Sequence, residues 1–111
     1  MFKPNFKKGI VQKVKCCKID AIPEGKSIER KIIARKIILF NQNGHITAME
    51  SECRHMKAPL SLGKVENGVV TCHWHHWRYD IKSGECLSHE NMDLKKFETE
   101  TIDDWVYVIF D

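Results

Sequence analysis

The ten residues TCHWHHWRYD, from Thr71 to Asp80, bring together one cysteine, three histidines and two tryptophans. Sixteen residues separate this stretch's Cys72 from a shorter box, Cys53-Arg54-His55. Each box offers a thiolate and an imidazole, donors suited to zinc or to iron–sulfur chemistry. The spacings are C-x-H through Cys53 and His55, and C-x-x-H through Cys72 and His75. Two cysteines and two histidines can close a tetrahedral zinc site. They can also hold a [2Fe–2S] cluster, with two thiolates on one iron and two imidazoles on the other. Zinc fingers usually take a cysteine pair and then a histidine pair along the chain. Here each box supplies one of each, as two loops clasping a binuclear cluster require, and the cluster is the favoured reading.

Such loops need a support, and strand signals dominate the rest of the chain. IVQKVKC alternates apolar and polar residues, with Ile10, Val11, Val14 and Cys16 expected on the inner side. AIPEGKS reads as a turn broken at Pro23 and Gly25. SIERKIIARKIILF predicts two isoleucine-rich strands parted around Ala34 and Arg35, NQNG a hairpin turn, and HITAME the returning strand. LKKFETETI and WVYVIF predict another hairpin about Asp103-Asp104. Helical periodicity is weak throughout, so the expected fold class is all-β, a small antiparallel sandwich or barrel. Residues 51–87 differ in kind, holding Pro59, Gly63, Gly68, Gly84 and every candidate ligand. They read as a loop-rich insertion carried by the strands, within a single domain spanning 1–111.

Bulk properties narrow the function classes. The 111 residues are 42% apolar and 30% charged, ordinary values for a globular domain. No apolar run approaches the length that spans a membrane. The N-terminal stretch MFKPNFKKGIVQKVKCCKID is too charged for a signal-peptide core, so a cytoplasmic protein is expected. Five cysteines, two of them adjacent (Cys16 and Cys17), do not form the pattern of a disulfide framework. Residues 1–36 carry 11 Lys/Arg against 3 Asp/Glu, while residues 37–111 carry 7 against 12. That asymmetry raises nucleic-acid binding. Yet the lysines alternate with apolar residues, as on the outer face of a strand, and no nucleic-acid motif accompanies them.

The stretch CRHMKAPLSLGKVENGVVTCHWHHWRYDIKSGEC resembles the Rieske-type ferredoxins of bacterial aromatic-ring dioxygenase systems, and their relatives among nitrite reductase small subunits. The two boxes, the APLSLG after the first, the W-x-x-W-R-Y-D through the second and the following SGEC carry the likeness. The resemblance implies a Rieske-type sandwich or barrel with an inserted cluster-binding subdomain, and one [2Fe–2S] cluster held by Cys53, His55, Cys72 and His75. It implies a one-electron carrier, not an enzyme, between an NAD(P)H-dependent ferredoxin reductase and a terminal oxygenase. The carrier is expected to be a monomer with no nucleic-acid or membrane partner. An electron-transfer subunit of a larger reductase of the nitrite reductase type is an alternative, and a zinc-stapled binding module is another.

Departures from the family pattern carry further expectations. His73 and His76 stand where the family has proline and glycine. Both are expected as exposed loop side chains, and His76 is strained if its backbone needs φ > 0. Ala58 and Trp74 occupy the positions of the disulfide cysteines found in high-potential Rieske proteins, and Trp77 that of a serine donor. Tyr79 falls where a tyrosine donor sits. Fewer donors to sulfur predict a midpoint toward the low end of the Rieske range of roughly −150 to +300 mV. Pro59, Leu60, Leu62, Trp74 and Trp77 are expected to cover the cluster, with Arg54, Lys57 and Arg78 in a basic rim. One of Cys16 and Cys17 is expected to face in and the other out; Cys86 is not a ligand.

Overall fold

The computed structural model describes residues 11–110. Within them lie nine strands: β1 (Gln12–Lys18), β2 (Ser27–Ile32), β3 (Arg35–Gln42), β4 (His45–Glu50), β5 (Lys64–Glu66), β6 (Val69–Thr71), β7 (Arg78–Asp80), β8 (Lys96–Ile102) and β9 (Trp105–Phe110). Short 3-10 turns at Ile19–Ala21 and Leu60–Leu62 are the helical content of the described residues. The expected all-β class holds, with every strand pairing antiparallel.

Six strands form one sheet in the order β1-β9-β8-β4-β3-β2, and β5-β6-β7 form a second. The large sheet curls until β1 and β2, the ends of that order, come within 8 Å of each other. Three of its tight turns and the β5–β6 turn of the small sheet share one device, two consecutive residues in the left-handed region. They are Ile33-Ala34, Asn43-Gly44, Asn67-Gly68 and Asp103-Asp104. Such pairs match the right-handed twist of the flanking strands. Asn-Gly announces itself in the sequence, but Ile33-Ala34 does not. The turn sits one residue earlier than expected because Ile32 pairs with Arg35 and brings Ile37 to Phe40 into the core register.

β3 is covered on both faces, which explains its unbroken apolar run IILF. Ile37 and Leu39 belong to a core with Ile46, Ala48, Phe97 and Val106. Ile38 and Phe40 point the other way, into a core with Met49, Leu60, Val70 and Tyr79. Alternation along a strand sends successive side chains to opposite faces, so one strand serves two cores. Each fully buried side chain of this size contributes about 1.5–3 kcal/mol.

β1 departs from its expected pattern. Ile10 lies outside the described residues, Val11 is exposed, and Cys17 rather than Cys16 is the buried member of the pair. The cause is a register shift: Lys15 pairs with Tyr107 and Cys17 with Val106, so Cys16 is the extra residue of a bulge. The alternation is inverted from there on. The excursion from the large sheet is also longer than residues 51–87. The chain leaves after Glu50 and returns at Lys96. Residues beyond 87 stay with the small sheet because Leu94 N–H bonds Gly84 O at 2.8 Å and Cys86 N–H bonds the Asp93 carboxylate at 2.8 Å.

Candidate metal centre

Two loops of like construction approach each other at the end of the excursion. The first leaves β4 and is closed by a bridge between Glu52 and Pro59. Inside it Cys53 N–H donates to Ala58 O at 2.8 Å, and Met56 and Lys57 have left-handed backbones, with φ of 66° and 56°. The second spans the β6–β7 hairpin. There Cys72 N–H donates to Trp77 O at 2.7 Å, and His75 and His76 are left-handed, with φ of 64° and 59°. In each loop the cysteine amide reaches the carbonyl five residues on, and the third and fourth residues after the cysteine are left-handed. Each cysteine therefore sits at the base of its loop with a histidine further out. Gly63, the glycine of APLSLG, lets the first loop's exit lie against β6: an added Cβ would collide with Thr71 O.

The bases are buried. Cys53 and Cys72 are 1% and 0% exposed, in the same core as Leu60, Tyr79 and Cys86. Their thiols lie near enough to interact, and burial pushes the Cys72 thiol up from its ordinary range while the Trp74 N–H, 3.4 Å from its sulfur, works the other way. Tyr79 is fully buried with its hydroxyl 3.2 Å from Cys53 Sγ. That hydroxyl accepts the Arg54 N–H at 3.0 Å, which leaves its own proton free to point at the sulfur. Burial, and then the bond to Cys53, hold the phenol protonated far above its usual range, so it serves as a donor.

The histidines lie toward solvent. His55 is half-buried and His75 exposed, their rings 4.8 Å apart and inclined at 72°. His55 Nδ1 is buried with no hydrogen-bond partner. An orphaned buried nitrogen is costly and calls for a ligand. A buried pair of thiols at one end and a pair of imidazoles at the other fit a cluster whose two irons take different donors. Among the described residues, no three His, Cys, Asp or Glu side chains converge on one point as a single ion requires.

The structure sorts the other expectations. Leu60 is buried beside the cysteines and Trp77 stacks on His55 with centroids 4.8 Å apart. Pro59 and Leu62 do not join the cover expected of them, Leu62 being 64% exposed; Trp74 is 50% exposed but lies parallel to His75, with centroids 6.0 Å apart. His73 and His76 are exposed, and His76 does adopt φ > 0. Arg54, Lys57 and Arg78 are exposed, and among the described residues none of them forms an ion pair. Cys86 is buried, its backbone bridged to Tyr79. Sequence reading missed His89, whose ring lies 4.0 Å from Trp77. It also missed Asp93, which ties the segment beyond Cys86 to both Cys86 and Arg54. Eleven intervening residues hide the first contact, and spacing gives no sign of it.

Known proteins resemble this chain. A model of the Rieske [2Fe-2S] domain matches residues 12–98. Human (Homo sapiens) apoptosis-inducing factor 3 is 30% identical over 93 residues, which are 83% of this chain and 15% of that protein. The biphenyl dioxygenase ferredoxin subunit of Pseudomonas sp. (strain KKS102) is 31% identical over 75 residues, 67% of this chain and 69% of the subunit. The chain thus spans a small part of the first relative and about two thirds of the second. The solved structure of Sphingomonas yanoikuyae B1 ferredoxin superposes with a TM-score of 0.81 at 19% identity, covering 90% of this chain and all of that one (100%), a likeness of fold. With two matched loops, buried thiols, solvent-side imidazoles and a family match over most of its length, this chain belongs to the Rieske [2Fe–2S] domain family, whose members carry one such cluster per domain.

Proposed function

We propose that Cys53 and Cys72 hold one iron of the cluster and His55 and His75 the other, and that the chain is a one-electron carrier with no substrate chemistry of its own. The observation that carries the ligand set is the unpartnered, buried Nδ1 of His55 beside His75, opposite two facing buried thiols. When bound, the cluster supplies a one-electron couple at higher potential than all-cysteine plant-type clusters, because two of its ligands are neutral.

The chain's residues do the rest. The buried loop bases keep water from the thiolates, and Tyr79 donates to Cys53 Sγ. Trp74 N–H donates to Cys72 Sγ. Each donor favours the more negative, reduced state. Trp77, at the position of the serine donor of high-potential relatives, offers no hydroxyl, which supports a midpoint below zero. The imidazole side faces solvent, within reach of a partner, and is flanked by exposed Arg54, Lys57 and Arg78. Such a rim steers acidic surfaces through brief encounters.

The partners we assign are an NAD(P)H-dependent ferredoxin reductase as donor and a terminal oxygenase as acceptor, in the cytoplasm. The likeness to a dioxygenase ferredoxin subunit supports this assignment. Among the described residues no helix is long and apolar enough to cross a membrane. Purified protein should contain two irons and two acid-labile sulfides and lose part of its visible absorption when a ferredoxin reductase and NAD(P)H are added. One zinc and no iron would overturn the reading.

A further inference from the structure

Trp77 is shared between two histidines. Its ring is nearly parallel to His55, with centroids 4.8 Å apart and planes at 15°. It also carries His89, at 4.0 Å and 31°. The other ligand histidine is backed more loosely. His75 lies parallel to Trp74, with planes at 6° but centroids 6.0 Å apart, and Trp74 is itself half-exposed, with the exposed His73 beyond it at 6.4 Å.

The segment that presents His89 is fixed on both sides. Leu87 N–H bonds Arg78 O at 2.8 Å, and Arg78 N–H returns a bond to Ser88 Oγ at 3.0 Å. Beyond it, Asp93 accepts from Cys86 N–H through its carboxylate at 2.8 Å and from the Arg54 guanidinium through its carbonyl at 3.0 Å. His89 is exposed and lies outside both ligand boxes. A segment held this firmly, with one ring delivered onto Trp77, acts on whatever Trp77 touches, and Trp77 touches His55.

We propose that His89 is a positioning residue: it seats Trp77 against His55 and so fixes the plane of that imidazole and its hold on the cluster. The inference rests on His55 being a ligand, as proposed above. Residues that orient a metal-bound histidine influence affinity and electronic properties without touching the metal. Stacked aromatic pairs prefer defined offsets, so removing His89 frees Trp77 to tilt and the imidazole with it.

The test uses the cluster-loaded protein and five variants: His89→Ala, His89→Phe, Trp77→Leu, the pair His89→Ala with Trp77→Leu, and His55→Ala. Iron content is measured first. Two irons per chain in the wild type with none in His55→Ala would uphold the ligand assignment; a fully loaded His55→Ala protein would overturn that assignment and this inference with it. Loss of visible absorption under a chelator is then followed, with the electron paramagnetic resonance of the reduced proteins. His89→Ala should lose its cluster about 3- to 10-fold faster and show altered g-values. His89→Phe, which keeps a ring, should restore both. In the Trp77→Leu background the His89→Ala change should have no further effect. If His89→Ala matches the wild type in rate and g-values, or His89→Phe is as impaired as His89→Ala, the inference falls.

Discussion

The thiol end and the imidazole end of the site occupy contrasting ground. Cys53 and Cys72 lie in a core shared with Tyr79 and Leu60, each sulfur reached by a donor from its surroundings. His55 and His75 stand at the border with solvent, steadied by rings rather than by hydrogen bonds. The difference separates two duties. On the ligand set proposed above, the floor would retain the cluster and shape its potential from a buried environment, and the rim would expose one iron's ligands so that an electron has a short way out.

Substitutions on the two sides should therefore fail differently. The largest effect is expected on the floor: Cys72→Ser should drop iron content from two per chain to near zero, read by a colorimetric iron assay. On the rim, His75→Cys keeps a ligand but adds a charged thiolate. It should still load, with the midpoint lowered by on the order of 100 mV in protein-film voltammetry. If His75→Cys empties the site as fully as Cys72→Ser, the contrast between floor and rim is lost. Tyr79→Phe should sharpen it, lowering the midpoint by on the order of tens of millivolts as the donor to Cys53 Sγ is removed, with the cluster still bound.

A smaller effect concerns the rim's backbone. His76→Gly removes a left-handed non-glycine residue and should raise stability by about 0.5–1 kcal/mol in chemical denaturation. The smallest effect lies in the framework, at the half-buried thiol of Cys16. Burial, and then its neighbour Cys17, push Cys16 up from 9.0 to about 12. A raised folded-state value makes its contribution to stability complete below the ordinary thiol range and progressively lost as pH climbs toward 12. The urea midpoint should therefore fall more steeply above pH 9 in the wild type than in Cys16→Val.

Much of this architecture was legible in the sequence. Alternation located the strands of the large sheet, and Asn43-Gly44 and Asp103-Asp104 located two of its turns. The boxes at Cys53 and Cys72 stood out because donors at fixed spacing must lie on loops, where local geometry repeats with local sequence. What stayed hidden depends on pairing between distant segments. The bulge at Cys16 is set by β9, not by anything in IVQKVKC. Ile33-Ala34 turns because the register of β2 with β3 demands it, against its own conformational preference. The end of the insertion is fixed by Asp93 and Leu94 reaching back to Cys86 and Gly84. Likewise His89 meets Trp77 only after the chain has doubled back.

The double-sided burial of β3 has a thermal consequence. Ile37 and Leu39 seal one core, and Ile38 and Phe40, on the same backbone, seal the other. No melting of the small sheet's core can leave the large sheet's core untouched, because a single strand is a wall of both. The two cores are expected to unfold in one cooperative transition, across which the free energy of cluster binding would be spread.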